Sequence, residues 1–226
     1  MPRGDSRQAI VDSAMQGIYK AAEEWEKMSG LWLEAAPEYF ATTRIAQGLA
    51  GQLKSAYICL EWNIRETLED ARQKPKRGRP PVAMNGGKRF DVVVYYGQTG
   101  RPRAAIEVKH RFASCSATLS KDFRRLAMAT ADVQAGSSLS LGCLVVYLEQ
   151  GPVSRKDATP ADRIRRKQES IRRWADERLA DTPGVAESVK LRVHFGEVES
   201  DTDDAFSGAY ACVIIALESI RKRNGP

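Results

Sequence analysis

The chain has 226 residues, of which 42% are hydrophobic and 28% charged, as expected for a globular protein with a well-developed core. No apolar run approaches the roughly 20 residues of a membrane-spanning helix, and the first residues lack the apolar segment of a signal peptide, which argues against a membrane or exported protein. The formal charge of +6 favours a polyanionic partner.

Cysteine and histidine usage argues against disulfides and zinc. The chain has four widely separated cysteines and no C-x-x-C pair: Cys59, Cys115, Cys143 and Cys212. Only His110 and His194 are present, so the clustered ligands of a zinc site are missing. We therefore expect free thiols in a reducing cytoplasm.

The N-terminal third predicts two helices and then an ambiguous segment. Apolar residues at helical spacing predict helices at about Ser6–Met28 and Pro37–Leu53, and Gly30 ends the first of them. Tyr57–Trp62 is compatible with a strand or a helix. We interpret it as a short strand that leads into a helix at about Ile64–Ala71.

A basic, proline-rich segment follows. Arg72–Pro81 contains five basic residues, three prolines and no acid, which predicts an exposed irregular loop. Within it, Arg77-Gly78-Arg79-Pro80 resembles the core of an AT-hook, an element that lies in the narrow minor groove of A·T-rich DNA. Arg77 and Arg79 are therefore candidate DNA contacts, although a flexible basic loop needs no such role.

Arg89–His110 is the most informative stretch of the chain and reads as two strands joined by a turn at Gly97–Gly100. Asp91 opens the first strand, and Glu107 and Lys109 share one face of the second because side chains alternate along a strand. Burying charged groups in an otherwise apolar strand costs free energy unless a partner compensates their charge. A Mg²⁺ ion held by Asp91 and Glu107 would be such a partner, because Mg²⁺ prefers oxygen ligands and shares its shell with phosphate and water.

The remaining elements alternate between helices and strands. They are a helix at about Ala117–Gln134, a strand at Leu141–Leu148, a helix from Thr159 to about Leu179, and β-rich segments at Val189–Val198 and Ala209–Leu217. The order α-α-β-β-β-α-β-α-β-β predicts an α/β fold, a mixed central sheet with helices on both faces.

Asp91, a fifteen-residue gap and then Glu107-Val108-Lys109 resembles the core signature of the PD-(D/E)XK nuclease superfamily. Phe90 stands where the family has a proline, and the likeness spans roughly Glu38 to Tyr147. It implies a restriction-endonuclease-like αβββαβ core with N-terminal helices and a C-terminal α-β-β extension. We expect one domain, organised as a helical segment 1–35, a catalytic core 36–150 and an extension 151–226.

The resemblance implies a Mg²⁺-dependent endonuclease that acts on DNA, with Mn²⁺ able to substitute, in restriction, phage defence or repair. Asp91, Glu107 and the main-chain carbonyl of Val108 would bind the metal. Lys109 would orient the attacking water and offset the charge that builds on the phosphate oxygens. The family usually adds an upstream acid, for which Glu38 and Glu61 are both candidates.

Basic residues after the site are candidate DNA contacts. Lys121, Arg124 and Arg125 lie away from the apolar centre of the next predicted helix, where related nucleases approach the phosphate backbone. The arginine-rich helix at Arg163–Arg178 could also track phosphates. A solvated charged face is the alternative interpretation of both groups.

Two other functions and one purely structural role of the charged residues remain open. The chain could be a non-catalytic DNA-binding protein on a nuclease-like scaffold, or a structural subunit that binds an acidic protein, and Asp91, Glu107 and Lys109 could form an ordinary surface salt bridge. No P-loop appears, so we expect no ATP hydrolysis, and no G-x-S-x-G elbow supports serine hydrolysis. A chain this small that cuts both strands would most easily act as a two-fold dimer.

Overall fold

The computed structural model describes residues 7–72, 88–131, 136–152, 159–200 and 208–220. Within these ranges the helices are α1 (Arg7–Ser29), α2 (Glu38–Gln52), α3 (Ile64–Ala71), α4 (Ala117–Ala131) and α5 (Pro160–Ala180), with a 3₁₀ turn at Leu33–Ala35. The strands are β1 (Ala56–Asn63), β2 (Arg89–Tyr96), β3 (Arg101–Lys109), β4 (Leu141–Gln150), β5 (Val189–Phe195), β6 (Glu199–Ser200) and β7 (Ala209–Ser219). The interpretation of the ambiguous segment as a strand followed by a helix is confirmed by β1 and α3.

All the strands in the described ranges belong to one mixed, mostly antiparallel sheet. Its order is β1-β2-β3-β4-β7-β5, and β6 extends the same edge by pairing with β7. Only β3 and β4 are parallel to each other, because α4 carries the chain back across the sheet between them. The predicted α/β class is therefore confirmed.

Helices cover both faces of the sheet and create two separate apolar layers. On one face α1 and α2 pack with strand residues such as Val92, Ile106 and Val145. On the other face α3, α4 and α5 pack with residues such as Val93 and Leu144. Because both faces of β3 and β4 are covered, a charged side chain on these strands is removed from water.

Local signals at the helix ends explain where the elements begin and stop. Asn63 caps α3 by accepting hydrogen bonds from the backbone of Arg65 and Glu66, at 2.8 and 3.3 Å. Thr159 and Asp162 form a reciprocal capping box at the start of α5. Gly30 ends α1 with a φ of 68°, a left-handed conformation that glycine adopts without strain. No helix within the described ranges is long and apolar enough to cross a bilayer.

The predicted strand Val189–Val198 has the largest error in its bounds among the strands, and Tyr19 supplies the reason. The predicted strand Val189–Val198 ends at Phe195, and the chain pairs with β7 again only at Glu199. The Tyr19 hydroxyl enters the interrupted ladder, accepting from the backbone N–H of Cys212 at 3.2 Å and donating to the carbonyl of Glu197. The predicted end of the fourth helix, at Gln134, lies outside the described residues.

Close packing of α1 on α2 depends on Gly17, and this gives a first prediction. A Cβ atom at Gly17 would lie 2.7 Å from the Cα of Ile45, a backbone atom that cannot move aside cheaply. We expect Gly17→Ala to lower the free energy of unfolding by about 1–3 kcal/mol, measured by urea denaturation. The matched control is Gly51→Ala on α2, where a Cβ meets nothing within 4 Å and helix propensity favours alanine by about 1 kcal/mol. Equal stability of the two variants would contradict this account.

Candidate functional site

Asp91 and Glu107 lie on adjacent antiparallel strands, at the end of the hairpin away from its turn. The last paired residues of β2 and β3 are Val92 and Ile106, and Asp91 and Glu107 come next along each strand. The Oδ2 atom of Asp91 accepts a hydrogen bond of 2.6 Å from the backbone N–H of Val108. The hairpin therefore brings these two carboxylates together, although fifteen residues separate them in sequence.

Alternation along β3 places its polar residues as the sequence predicted. Glu107 and Lys109 both contact side chains of α4, on one face of the sheet. Ile106 and Val108 pack into the layer under α1 and α2, and the His110 ring lies 3.2 Å from the carbonyl of Ala36 on that second side. The predicted division of these side chains between the two faces is confirmed.

Burial and neighbouring negative charges perturb both carboxylates. Removal from water raises the pKa of Asp91 to about 6, against the lowering effects of the Val108 hydrogen bond and the Lys109 charge. Burial, followed by the negative charge of Asp91, raises the pKa of Glu107 to about 8, against the attraction of Arg125. Two neighbouring carboxyl groups whose pKa values are both raised are typical of a site that binds a cation or transfers a proton.

A network of ion pairs connects Glu107 to Lys109 through two residues of α4. The Arg125 guanidinium donates to Glu107 Oε1, with Nη2 at 2.5 Å and Nε at 3.2 Å, and Nη2 also lies 2.6 Å from Asp122 Oδ1. The other oxygen of Asp122 accepts from Lys109 Nζ at 2.8 Å. Glu107 and Asp122 are thus separated by the Arg125 cation, which makes these buried charges tolerable.

Lys109 remains an ammonium group in this environment. Burial alone would lower its pKa, but the hydrogen bond to Asp122 and the negative charges of Asp122, Glu107 and Asp91 raise it above the usual value. The lysine therefore presents a positive charge beside Asp91 and Glu107 and does not act as a base in this state.

Arg125 does not lie where the sequence pattern predicted. We expected it on the outer side of the helix with Lys121 and Arg124, but only 5% of Arg125 is exposed and its guanidinium is held by Glu107 and Asp122. Lys121 and Arg124 are exposed as expected. The prediction for Arg125 was wrong because hydrophobicity patterns assign arginine to solvent, whereas a buried arginine is stable where carboxylates pair with it.

The two candidate upstream acids lie in different surroundings. Glu61 is opposite Asp91, between the paired residues Leu60–Val92 and Trp62–Phe90, and its negative charge contributes to the raised pKa of Asp91. Its φ of 50° is unusual for a residue other than glycine. Glu38 is exposed at the start of α2, where its charge acts on His110. The geometry therefore brings Glu61, and not Glu38, to the Asp91 carboxylate.

The remaining predicted site residues are placed as follows. Val108 directs its N–H toward Asp91, and because the N–H and C=O of a strand residue point to the same side, its carbonyl faces that side as well. Arg77 and Arg79, the candidate AT-hook arginines, lie outside the described residues. Sequence reasoning missed Asp122, for which the only signal was its spacing of three residues from Arg125 along α4.

The donor set fits a hard divalent cation of the kind that keeps most of its waters. No group of three or more His, Cys, Asp or Glu side chains among the described residues is arranged to hold a metal. Mg²⁺ does not require such a cage, because it is usually bound through one or two carboxylates together with water and substrate phosphate. Asp91, Glu107 and the Val108 carbonyl correspond to that smaller set, and a cation beside them would favour the ionised form of both carboxyls, which burial disfavours.

The raised pKa values predict how stability depends on pH in metal-free buffer. Between about pH 4, where unfolded carboxyls titrate, and the folded pKa values of about 6 and 8, the folded protein holds protons that the unfolded chain has lost. The contribution of these two carboxyls to stability should therefore be largest below this window and fall as pH rises through it, which thermal denaturation in EDTA can measure. We expect Asp91→Asn with Glu107→Gln to reduce the slope. Some slope should remain, because burial and Glu34 also raise the pKa of Glu149 to about 8.

Comparison with known proteins adds no family to this geometry. A function is therefore assigned from the contacts within the cluster of Asp91, Glu107, Lys109, Asp122 and Arg125. The sequence matches no protein-family model, and no significant match was found among curated proteins or among solved structures.

Proposed function

We propose that the protein is a Mg²⁺-dependent deoxyribonuclease that hydrolyses internal phosphodiester bonds of DNA. The observation that carries the proposal is the juxtaposition of Asp91 and Glu107, each with a raised pKa, with the Lys109 ammonium on the same face of β3 as Glu107. A salt bridge on a surface hairpin does not account for it, because Glu107 is only 2% exposed.

The order of elements around the cluster supports a restriction-endonuclease-like core. From α2 to β4 the chain runs α-β-α-β-β-α-β, and β1, β2, β3 and β4 are neighbours in the sheet in that order. The helix α3, inserted between β1 and β2, is the only addition within this stretch of described residues to the αβββαβ order that the sequence resemblance implies.

Asp91, Glu107 and the carbonyl of Val108 would hold the metal. One oxygen of each carboxylate is already engaged, Asp91 Oδ2 by Val108 and Glu107 Oε1 by Arg125, so the second oxygens are the proposed ligands. A divalent cation bound there supplies Lewis-acid polarisation of the scissile phosphate and acidifies a water molecule. Glu61, which lies opposite Asp91, would act on that water.

The chain's own cations would stabilise the charge that develops on the phosphate. Lys109 stays protonated, so its ammonium can donate to a non-bridging phosphate oxygen in the transition state. Asp122 holds that ammonium through a 2.8 Å ion pair, and Arg125 fixes the orientation of Glu107. Such prepositioning is effective because no side chain has to reorganise as the reaction proceeds.

Cleavage of supercoiled plasmid tests the proposal directly. Purified protein should convert supercoiled DNA to nicked and linear forms in Mg²⁺ or Mn²⁺ and should leave it intact in EDTA. A closed circular substrate has no ends, so conversion also distinguishes an endonuclease from an exonuclease. Absence of cleavage in both metals, or cleavage that persists in EDTA, contradicts the proposal.

A non-catalytic DNA-binding protein is the second candidate, and one observation favours it. Arg125 already neutralises Glu107 through two hydrogen bonds, so the cluster can be stable without a metal. This candidate predicts DNA binding that weakens steeply with salt, without cleavage in any divalent metal. Isothermal titration with Mg²⁺ or Mn²⁺ separates the two candidates, since only the nuclease proposal requires a metal to bind.

A further inference from the structure

A basic pocket lies between α4 and the C-terminal end of α5, beside the proposed catalytic cluster. It has a volume of about 190 Å³, and its polar lining comprises Ser120, Lys121, Arg124, Arg178, Asp181 and Thr182. Lys121 and Arg124 each come one residue before Asp122 and Arg125, which reach into the cluster. The pocket and the cluster therefore share α4 as a common wall.

The charges of the pocket select an anion. Lys121, Arg124 and Arg178 contribute three positive charges, against the one negative charge of Asp181. Asp181 is engaged by Arg178, whose Nη2 lies 3.0 Å from its Oδ2 atom. No other carboxylate within the described ranges lines the pocket, so Lys121 and Arg124 keep a net positive potential there.

A second observation concerns Arg178, whose side chain lines the pocket. The Nε atom of Arg178 is buried and has no hydrogen-bond partner among the described residues. A buried donor without a partner is unfavourable, and a bound oxyanion would satisfy it. The hydroxyl groups of Ser120 and Thr182 are not free to donate to a bound anion. Ser120 donates to the Ser116 carbonyl at 3.1 Å, and Thr182 donates to the Arg178 carbonyl at 2.8 Å.

The size of the pocket restricts the ligand. A volume of about 190 Å³ corresponds to roughly six water molecules at about 30 Å³ each, enough for a phosphate group with some of its hydration. Pockets for larger organic ligands start near about 300 Å³, so a complete nucleotide would not be enclosed. A single phosphate is thus the ligand that both the charge and the volume favour.

We propose that this pocket binds a backbone phosphate of the DNA held at the Asp91–Glu107–Lys109 cluster, and the proposal rests on the DNA-cleaving function inferred above. Lys121 and Arg124 line the pocket, while Asp122 and Arg125 on the same helix belong to the cluster, so one DNA strand would contact both. Arg178 would extend this contact surface from the core into α5.

Fluorescence anisotropy with a labelled blunt duplex in EDTA tests the pocket without any catalytic step. We expect Arg178→Gln and Lys121→Gln each to weaken binding about 10-fold and to reduce the salt slope by about 1. The matched controls Arg192→Gln and Lys190→Gln remove the same charge from β5, outside the pocket, and should change the affinity less than about 2-fold. Thermal denaturation of each variant shows whether it folds, and Lys121 is exposed, so its replacement should not affect folding.

Three outcomes overturn the proposal. Equal weakening by the β5 controls would indicate diffuse electrostatic attraction, and unchanged binding by both pocket variants would exclude a phosphate contact. If the effect of Arg178→Gln disappears when the 5′-phosphates of the duplex are removed, the pocket binds a terminal phosphate and not the backbone. Failure of the nuclease proposal is recognised separately, because a parent protein that never cleaves plasmid can still show the predicted loss of binding in EDTA.

Discussion

Asp91→Asn and Lys109→Met should each reduce plasmid cleavage in Mg²⁺ by about 10³-fold or more, for different reasons. Asparagine can still accept the hydrogen bond from Val108, but it lacks the charge needed to bind a divalent cation. Methionine fills the space of Lys109 without the ammonium that faces the developing phosphate charge. Single-turnover cleavage rates, measured with excess enzyme, separate these effects from product release.

Metal and DNA binding should distinguish the two variants. We expect Asp91→Asn to lose Mn²⁺ binding in a calorimetric titration, and Lys109→Met to retain it because lysine is not a ligand. DNA binding should survive in both variants. The matched control is Lys190→Met on β5, an exposed strand lysine that should cleave at the parent rate. Cleavage by both site variants at the parent rate would falsify the assignment of these residues and point to contamination.

Arg125→Met should produce the largest loss of stability among single substitutions near the site. Removal of the guanidinium leaves Glu107 and Asp122 as buried carboxylates without their shared cation. Breaking a buried ion pair in this way lowers the free energy of unfolding by about 3–5 kcal/mol. We expect that loss at pH 8.5 in metal-free buffer, measured by urea denaturation, and a smaller loss at pH 6, where Glu107 takes up a proton.

Arg124→Met is the matched control for this substitution. Arg124 is exposed on the same helix, one position before Arg125, and its replacement should change stability by less than about 0.5 kcal/mol. Adding Glu107→Gln to Arg125→Met should recover part of the loss, because the variant no longer buries that unpaired charge. Similar stabilities for Arg124→Met and Arg125→Met would contradict the buried network.

The hairpin that carries the candidate site follows in part from local patterns. The alternation of side chains along Arg101–Lys109 correctly separated Glu107 and Lys109 from Ile106 and Val108, because the period of a strand is a local property of the backbone. The register at Asp91 and Glu107 also depends on a bulge, because the pairing shifts by one residue between Tyr95–Pro102 and Val94–Ala104. The turn alone would have placed Asp91 opposite Ile106, so the closeness of Asp91 to Glu107 could not be anticipated from the turn and the alternation by themselves.

The partners of the site on α4 could not be anticipated in the same way. Whether Arg125 reaches Glu107 depends on how α4 is rotated about its axis over the sheet, and packing between layers sets that rotation. The apolar pattern of α4 constrained the rotation only coarsely, because Asp122 and Arg125 border the buried face. The choice between Glu38 and Glu61 was likewise open until the pairing of β1 with β2 placed Glu61 opposite Asp91.

The sequence alone was sufficient for the types of the elements and for the mixed sheet between helices, because both follow from short-range periodicity. The pairing of Asp91 with Glu107 required in addition the bulge in the hairpin. Three-dimensional packing was needed for the Glu107–Arg125–Asp122–Lys109 network and for the basic pocket between α4 and α5. Both arise where helices meet the sheet or each other, and such contacts depend on the summed packing of many side chains. No spacing along the chain encodes them directly.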